Sequence, residues 1–405
     1  MAPMLRRERY LDALRPYYDQ YDIVKVLTGI RRCGKSVLLS QIAEEIAEKT
    51  GADHVILLNF ELTDYADIHG PADLDRHIRE RIVDDRPYYV FLDEVQEVPG
   101  FEKGINSLRA RGNISLFITG SNAHLLSGEL ATYLSGRYVE HRVWPLSYTE
   151  ALHLEGASPA GGDTASLMDY LTWGGLPQRF AFEGSQLRAY LRDVFNSVIL
   201  RDVVQRSGVR DIAALETILD FTMENLGRVI SPGSITDYLK SQRRSISTET
   251  IYAYLRAMTD SLLLNRVRRW DVRGKRILAT LDKYYSTDLG ILTTRQVGAG
   301  PGIGDRIENT VYTELRSRGF DVYTGKTSHG EIDFVAIRDS VPHYIQVAYL
   351  IADENVAARE FGAFSPVGDN YPKYVISADP LTQSRDGIVH LGLVPFLVDP
   401  PGELT

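Results

Sequence analysis

Short continuous apolar runs recur through the first third of the chain: Ile23-Val24-Lys25-Val26-Leu27-Thr28, Val55-Ile56-Leu57-Leu58-Asn59-Phe60, Tyr88-Tyr89-Val90-Phe91-Leu92 and Ser115-Leu116-Phe117-Ile118-Thr119. Runs of this length predict strands buried on both faces. Between them the apolar period lengthens to that of a helix, at 5–20 (Leu5, Tyr10, Leu11, Leu14, Tyr17), at 37–43, and in a charged segment at 73–85. Strands alternating with helices imply a parallel sheet. A further strand is expected around 136–146. From 186 to 226 the pattern is helical, with Leu187, Tyr190, Leu191, Val194, Phe195, Val198 and Ile199 on one face.

Residues 231–285 predict a winged helix: a helix at 233–240, a turn at 241–246, and a second helix at 247–264 with Ser247 as its N-cap. Two strands, 264–272 and 276–281, then form a hairpin with Arg273-Gly274-Lys275 at its tip. A Gly/Pro-rich stretch at 297–304 marks a linker. The α/β pattern after it has a helix at 305–319 and strands at 320–323, 331–336 and 344–349.

The junctions between these elements carry the chemistry. Gly29-Ile30-Arg31-Arg32-Cys33-Gly34-Lys35-Ser36 lies between the first strand and a helix. Glycines at both ends of such a loop let backbone N–H groups close around a phosphate, and the helix N-terminus adds its dipole. Lys35 neutralises the terminal phosphates and Ser36 ligates magnesium. The third strand ends in Asp93-Glu94, at the same carboxyl edge. There Asp93 holds magnesium through its shell and Glu94 polarises the attacking water. Asn122, after the fourth strand, can reach the γ-phosphate or its water. Arg137 reads either as an arginine finger, in cis or across a subunit boundary, or as a surface arginine paired with Glu140.

Composition narrows the setting. The 405 residues suit about two to four domains. The single cysteine, Cys33, excludes an intramolecular disulfide and fits a reducing cytosol. No apolar run of about 18 residues predicts a membrane span. A net charge of -9 argues against nucleic acid if spread evenly, yet residues 240–276 hold ten lysines or arginines against three acids. That concentration predicts contact with a phosphate backbone. Lys240, Arg243, Arg244 and Arg256 lie on its helical part; Arg268, Arg273, Lys275 and Arg276 lie on or beside the wing. Winged helices also dock proteins, which stays open.

GIRRCGKS at 29–36, FLDEVQ at 91–96, TGSN at 119–122 and SGRY at 135–138 make residues 20–150 resemble the ATPase core of the AAA superfamily. The whole chain resembles bacterial and archaeal ATPases with an uncharacterised nuclease-like C-terminal domain. The resemblance implies Walker A, Walker B, sensor and finger roles for these motifs. ATP would be held by Gly29, Arg31, Arg32, Cys33, Gly34, Lys35, Ser36 and Val37. The related STAND ATPases carry a Gly-x-Pro turn near the adenine, which Trp173-Gly174-Gly175-Leu176-Pro177 matches, so Pro177 joins the set. The C-terminal order is similar to the PD-(D/E)XK nuclease fold. Glu308 and Asp333 match its acids, but Gln346 stands at the third position and Ala348 where a lysine is expected. Lys326 can substitute only if its loop folds inward, so a degenerate nuclease is expected, one that binds DNA shape or packs against a partner.

The expectation is an α/β chain: a P-loop AAA-type ATPase at 1–160, a helical lid at 161–228, a winged helix at 229–292 and a restriction-endonuclease-like domain at 300–400. Its implied cofactors are ATP and Mg2+. Its implied role is an oligomeric motor, such as a hexamer, that remodels or translocates duplex or branched DNA. The alternative is a STAND-like switch whose winged helix and C-terminal domain bind proteins.

Overall fold

The computed structural model describes residues 5–123, 129–134, 136–157, 164–205, 207–278, 281–295, 300–328 and 330–404. Ser135, the 160/161 boundary and residues 297–299 of the expected linker lie outside the described residues. The chain divides into two compact units, 1–143 with 260–262, and 144–259 with 263–405. No helix among the described residues is long and apolar enough to cross a membrane.

The first unit is built on a parallel sheet of β1 (Val24–Thr28), β2 (Val55–Asn59), β3 (Tyr88–Asp93), β4 (Ile114–Gly120) and β5 (Tyr138–Arg142), in the order β2-β3-β4-β1-β5. The three inner strands are buried at every position, whereas β2 and β5 carry half-exposed residues, as edge strands must. Val26, Val90, Leu92, Leu116 and Ile118 join Leu74, Ile105 and Leu108 in one core. The lead-in helix α1 (Glu8–Leu14) gives way to a 3-10 turn at Pro16. It docks on α2 (Lys35–Thr50) through Glu45, which accepts from Arg15 at 2.6 Å and Tyr18 at 2.8 Å. Lys25, inside β1, donates to the carbonyls of Gln20 and Ile23 and to the Ser115 hydroxyl.

In the second unit, β6 (Val229–Ile230), β7 (Leu264–Val267) and β10 (Asp282–Ser286) form an antiparallel sheet ordered β6-β10-β7. Helices Pro232–Ser241 and Thr248–Asp260 precede β7. The expected hairpin is present about its 273–275 tip, but the extent of its strands is corrected here. Its first strand breaks after Val267: β7 pairs with β10, while β8 (Arg269–Asp271) and β9 (Arg276–Ile277) pair with each other. β8 also lies parallel to β11 (Asp321–Lys326). This places the hairpin at the end of a seven-stranded sheet ordered β15-β14-β13-β12-β11-β8-β9, with β12 (Glu331–Arg338), β13 (Val341–Ala348), β14 (Lys373–Ser377) and β15 (Val389–Gly392). The cause is burial: Trp270 and Val272 pack with Ile332, Val335 and Tyr344 in that sheet's core.

Candidate functional site

The glycine-containing loop leaves the carboxyl end of β1 and opens into α2. Arg32 and Gly34 have φ of 71° and 103°. This left-handed backbone turns successive N–H groups to one side and costs a residue with a Cβ about 1–2 kcal/mol, so glycine suits position 34. Lys35 is buried, and its ammonium donates to the Gly29 carbonyl at 3.0 Å while lying 3.3 Å from a Glu94 oxygen. Ser36 and Val37 at the helix start are exposed.

Asp93 and Glu94 close the same edge from β3. The Thr119 hydroxyl donates to Asp93 at 2.6 Å and accepts the Glu94 N–H at 2.8 Å, fixing both acids to β4. Ser36, at the start of α2, works with Thr119 to favour the ionised Asp93 carboxylate against burial. Glu94 sits at φ 52°, strain typical of a residue whose side-chain direction matters. Burial raises the Asp93 carboxyl above its ordinary range. Burial also works to raise Glu94, but Lys35, the Gln96 amide and Arg31 outweigh it and hold Glu94 below its ordinary value. Two adjacent carboxyls thus differ in acidity, the arrangement expected of groups with separate tasks.

The remaining expected nucleotide residues divide. Arg31 is buried and paired with Glu61 at 2.9 Å, Arg32 is exposed, and Cys33 and Asn122 are buried beside the loop and after β4. Arg137 is a correction. It precedes β5 at the end where β1 begins, because Val24 is level with Tyr138 and Thr28 with Arg142. A five-residue strand of about 16 Å separates it from the phosphate edge, which excludes the reading in cis. Its carboxylate neighbour is Asp22 at 3.4 Å, not Glu140, which accepts from Thr28. Pro177 opens a 3-10 segment in the second unit. The turn before it is fixed by Asp288, whose carboxylate accepts the Gly175 N–H at 2.8 Å and lies where a Cβ on Gly174 would be.

Sequence reasoning missed Gln96 and Arg7. Gln96 donates to the second Glu94 oxygen, and its own carbonyl oxygen is buried without a partner. Arg7 is buried and donates to the Cys33 carbonyl at 3.4 Å. The quoted FLDEVQ motif contained the signal for Gln96; nothing in the local pattern marked Arg7.

In the second unit the basic residues lie on the surface. Lys240, Arg243, Arg256, Arg268, Arg273, Lys275 and Arg276 are exposed and Arg244 is half-buried. Lys240, Arg244, Lys275 and Arg276 lie 3.7–3.8 Å from Asp237, Asp211, Asp369 and Asp271. Such exposed pairs contribute about 0–1 kcal/mol and yield readily to a phosphate.

The expected nuclease-like residues do converge. Glu308, on the helix Ile303–Ser317, and Asp333, on β12, share one cluster, and the Gln346 side chain accepts the Asp333 N–H at 3.3 Å. Lys326 is exposed and is not the cluster's cation. That place belongs to Lys283 of β10, 2.6 Å from Glu331 and 3.4 Å from Glu308. Burial works to lower the Lys283 ammonium, but Glu308, Asp333 and Glu331 hold it above the ordinary lysine value. Burial raises both Glu308 and Asp333.

Taken together, the first unit is a P-loop α/β domain with paired acids at its carboxyl edge. Residues 22–152 match the model of the AAA domain, and residues 164–299 match a domain of unknown function. An uncharacterized protein of Haemophilus influenzae is 35% identical over 399 residues, covering 98% of this chain and 99% of the relative. An uncharacterized protein of Methanocaldococcus jannaschii is 28% identical over 84% of this chain and 78% of its own. The chain belongs to the family of the Haemophilus protein. Among solved structures, the Orc1 protein of Aeropyrum pernix in complex with DNA is 12% identical at a TM-score of 0.32, over 73% of this chain and 93% of its own. AMPPCP-bound DnaA from Aquifex aeolicus is 13% identical at 0.31, over 63% and 89%.

Proposed function

We propose that this protein is an ATPase that couples hydrolysis in the AAA domain to the handling of DNA by its basic second unit, working as a homo-oligomer. The observation that carries the ATPase reading is the convergence of Lys35, Ser36, Asp93, Thr119 and Glu94 at one sheet edge. The loop N–H groups and Lys35 hold the β- and γ-phosphates. Lys35 then exchanges Glu94 for phosphate, which frees Glu94 to take the proton of the attacking water. Gln96 and Thr119 keep the two acids aimed during that exchange. The influence of Ser36 on the Asp93 carboxylate supports the fit of a magnesium ion held by these two residues, and the ion would supply charge neutralisation across the phosphates.

The DNA reading rests on the exposed basic residues at 240–276, among which Arg273 and Lys275 occupy the β8–β9 turn. Engagement of duplex or branched DNA by the two helices and by this turn is part of the proposal, as is a role for Arg137 across a boundary between copies. The C-terminal sheet is read as non-cleaving. One observation favours the second reading, a switch that docks protein: Lys275 already leans on Asp369 and the Tyr371 ring, as a protein-facing lysine does.

ATP turnover of the full chain with and without junction DNA, across a salt series, tests the choice. A DNA-handling ATPase is stimulated by DNA and loses that stimulation steeply as salt rises. Slow turnover indifferent to DNA at low salt contradicts it and supports the switch.

A further inference from the structure

The PD-(D/E)XK resemblance implies a divalent metal at Glu308, Asp333 and the third position, and the residues present do not fit one. A magnesium or manganese ion needs several oxygens with free lone pairs at about 2.0–2.2 Å in near-octahedral array. Here the Lys283 ammonium sits among the acids a metal would share, and a protein donor engages one oxygen of each of the three side chains. Glu308 accepts from the Tyr285 hydroxyl at 2.6 Å and from Lys283 at 3.4 Å. Asp333 accepts the Val347 N–H at 2.8 Å. Gln346 spends its oxygen on the Asp333 N–H and turns its amide to Glu360 at 2.9 Å. Among the described residues no group of three His, Cys, Asp or Glu side chains is set out for a metal.

We infer that Lys283 is the resident cation of this cluster, a tethered ammonium in the place a metal would take, and that the second unit is for this reason a joint and not a metal-dependent nuclease. The ammonium enters from β10 of the three-stranded sheet, whereas its acids come from the helix Ile303–Ser317 and from β12 of the seven-stranded sheet. One buried charge therefore ties three elements of two sheets. Tyr285, two residues on along β10, donates to the same Glu308 and stacks on Tyr312 at 4.6 Å. This assignment is independent of the ATPase reading, and the experiment below uses no nucleotide.

The test is Mn2+ binding to the full chain, read as loss of the free-ion paramagnetic resonance signal, for the wild type, Asp333→Asn, Lys283→Met and the double variant. Wild type and Asp333→Asn are expected to bind equally, so any ion held elsewhere cancels. Lys283→Met is expected to gain a site that the added Asp333→Asn removes. A wild-type site lost in Asp333→Asn overturns the assignment, as does a folded Lys283→Met without the gain. If Lys283→Met does not fold, the wild type against Asp333→Asn decides alone. Plasmid cleavage with Mn2+ that disappears in Asp333→Asn would equally overturn it.

Discussion

The two units each bury a lysine among carboxylates, and they use it in opposite ways. Lys35 touches one carboxylate, Glu94, and otherwise rests on a loop carbonyl at the mouth of a cradle whose next residues are exposed. It can leave Glu94 for a phosphate without stranding it, because Gln96 still donates to that carboxylate. Lys283 touches two carboxylates, and no other cation lies within 4 Å of either among the described residues. Removing it leaves buried Glu308 with only the neutral Tyr285 hydroxyl, and Glu331 with no cation. A buried ion pair is weak evidence for stability, but breaking one side of it is costly. The lesson is that the alternatives open to each partner, more than the residue types, separate a working site from a joint. Lys25 completes the series. Buried with only neutral acceptors, it is lowered by desolvation to about 7.

The contrast can be broken most sharply at the lysines themselves. Lys35→Ala is expected to abolish ATP binding in an equilibrium titration while leaving the fold intact, because Glu94 keeps the Gln96 amide and the charge of Arg31. Lys283→Ala is expected to destabilise the second unit by about 3 kcal/mol, seen as an earlier denaturant transition, with ATP binding retained. Equal stability losses in the two variants would erase the distinction.

A smaller effect is expected at Gln96. Gln96→Ala should lower kcat roughly tenfold with little change in KM, since it loosens the aim of Glu94 without touching the cradle. A change confined to KM would place Gln96 in binding instead.

The smallest is a shift in pH dependence. The Thr119 hydroxyl stabilises the ionised form of Asp93 against burial, so Thr119→Val raises that carboxyl further. In its proposed role Asp93 is ionised, so the acidic limb of the rate profile should move to higher pH. A limb that stays in place would assign it to another group. Glu94, held below its ordinary value, stays ionised across that range.

The loop and the paired acids were legible because both lie within short continuous motifs bounded by apolar runs, whose burial fixes the sheet edge they reach. Arg137 was misplaced because a run that names a strand does not say which end a flanking residue occupies; the register of β5 on β1 does. The first strand of the wing was drawn too long for a related reason. Residues 264–272 read as one strand, but Trp270 and Val272 pack in the core of the seven-stranded sheet while Leu264 and Val267 lie in β7 of the three-stranded one, and the chain changes sheets between them. Lys283 was invisible as a site residue. It stands in a Tyr-rich strand, and its acids lie 25 and 48 positions further along the chain, so only the fold brings them together.

In the proposed mechanism Glu94 activates water at a cradle able to bind ATP without it. Measuring ATP affinity and single-turnover hydrolysis for Glu94→Gln against the wild type tests this. Retained affinity with turnover reduced by about 10²-fold or more is the predicted result. Wild-type hydrolysis by the variant would contradict the account.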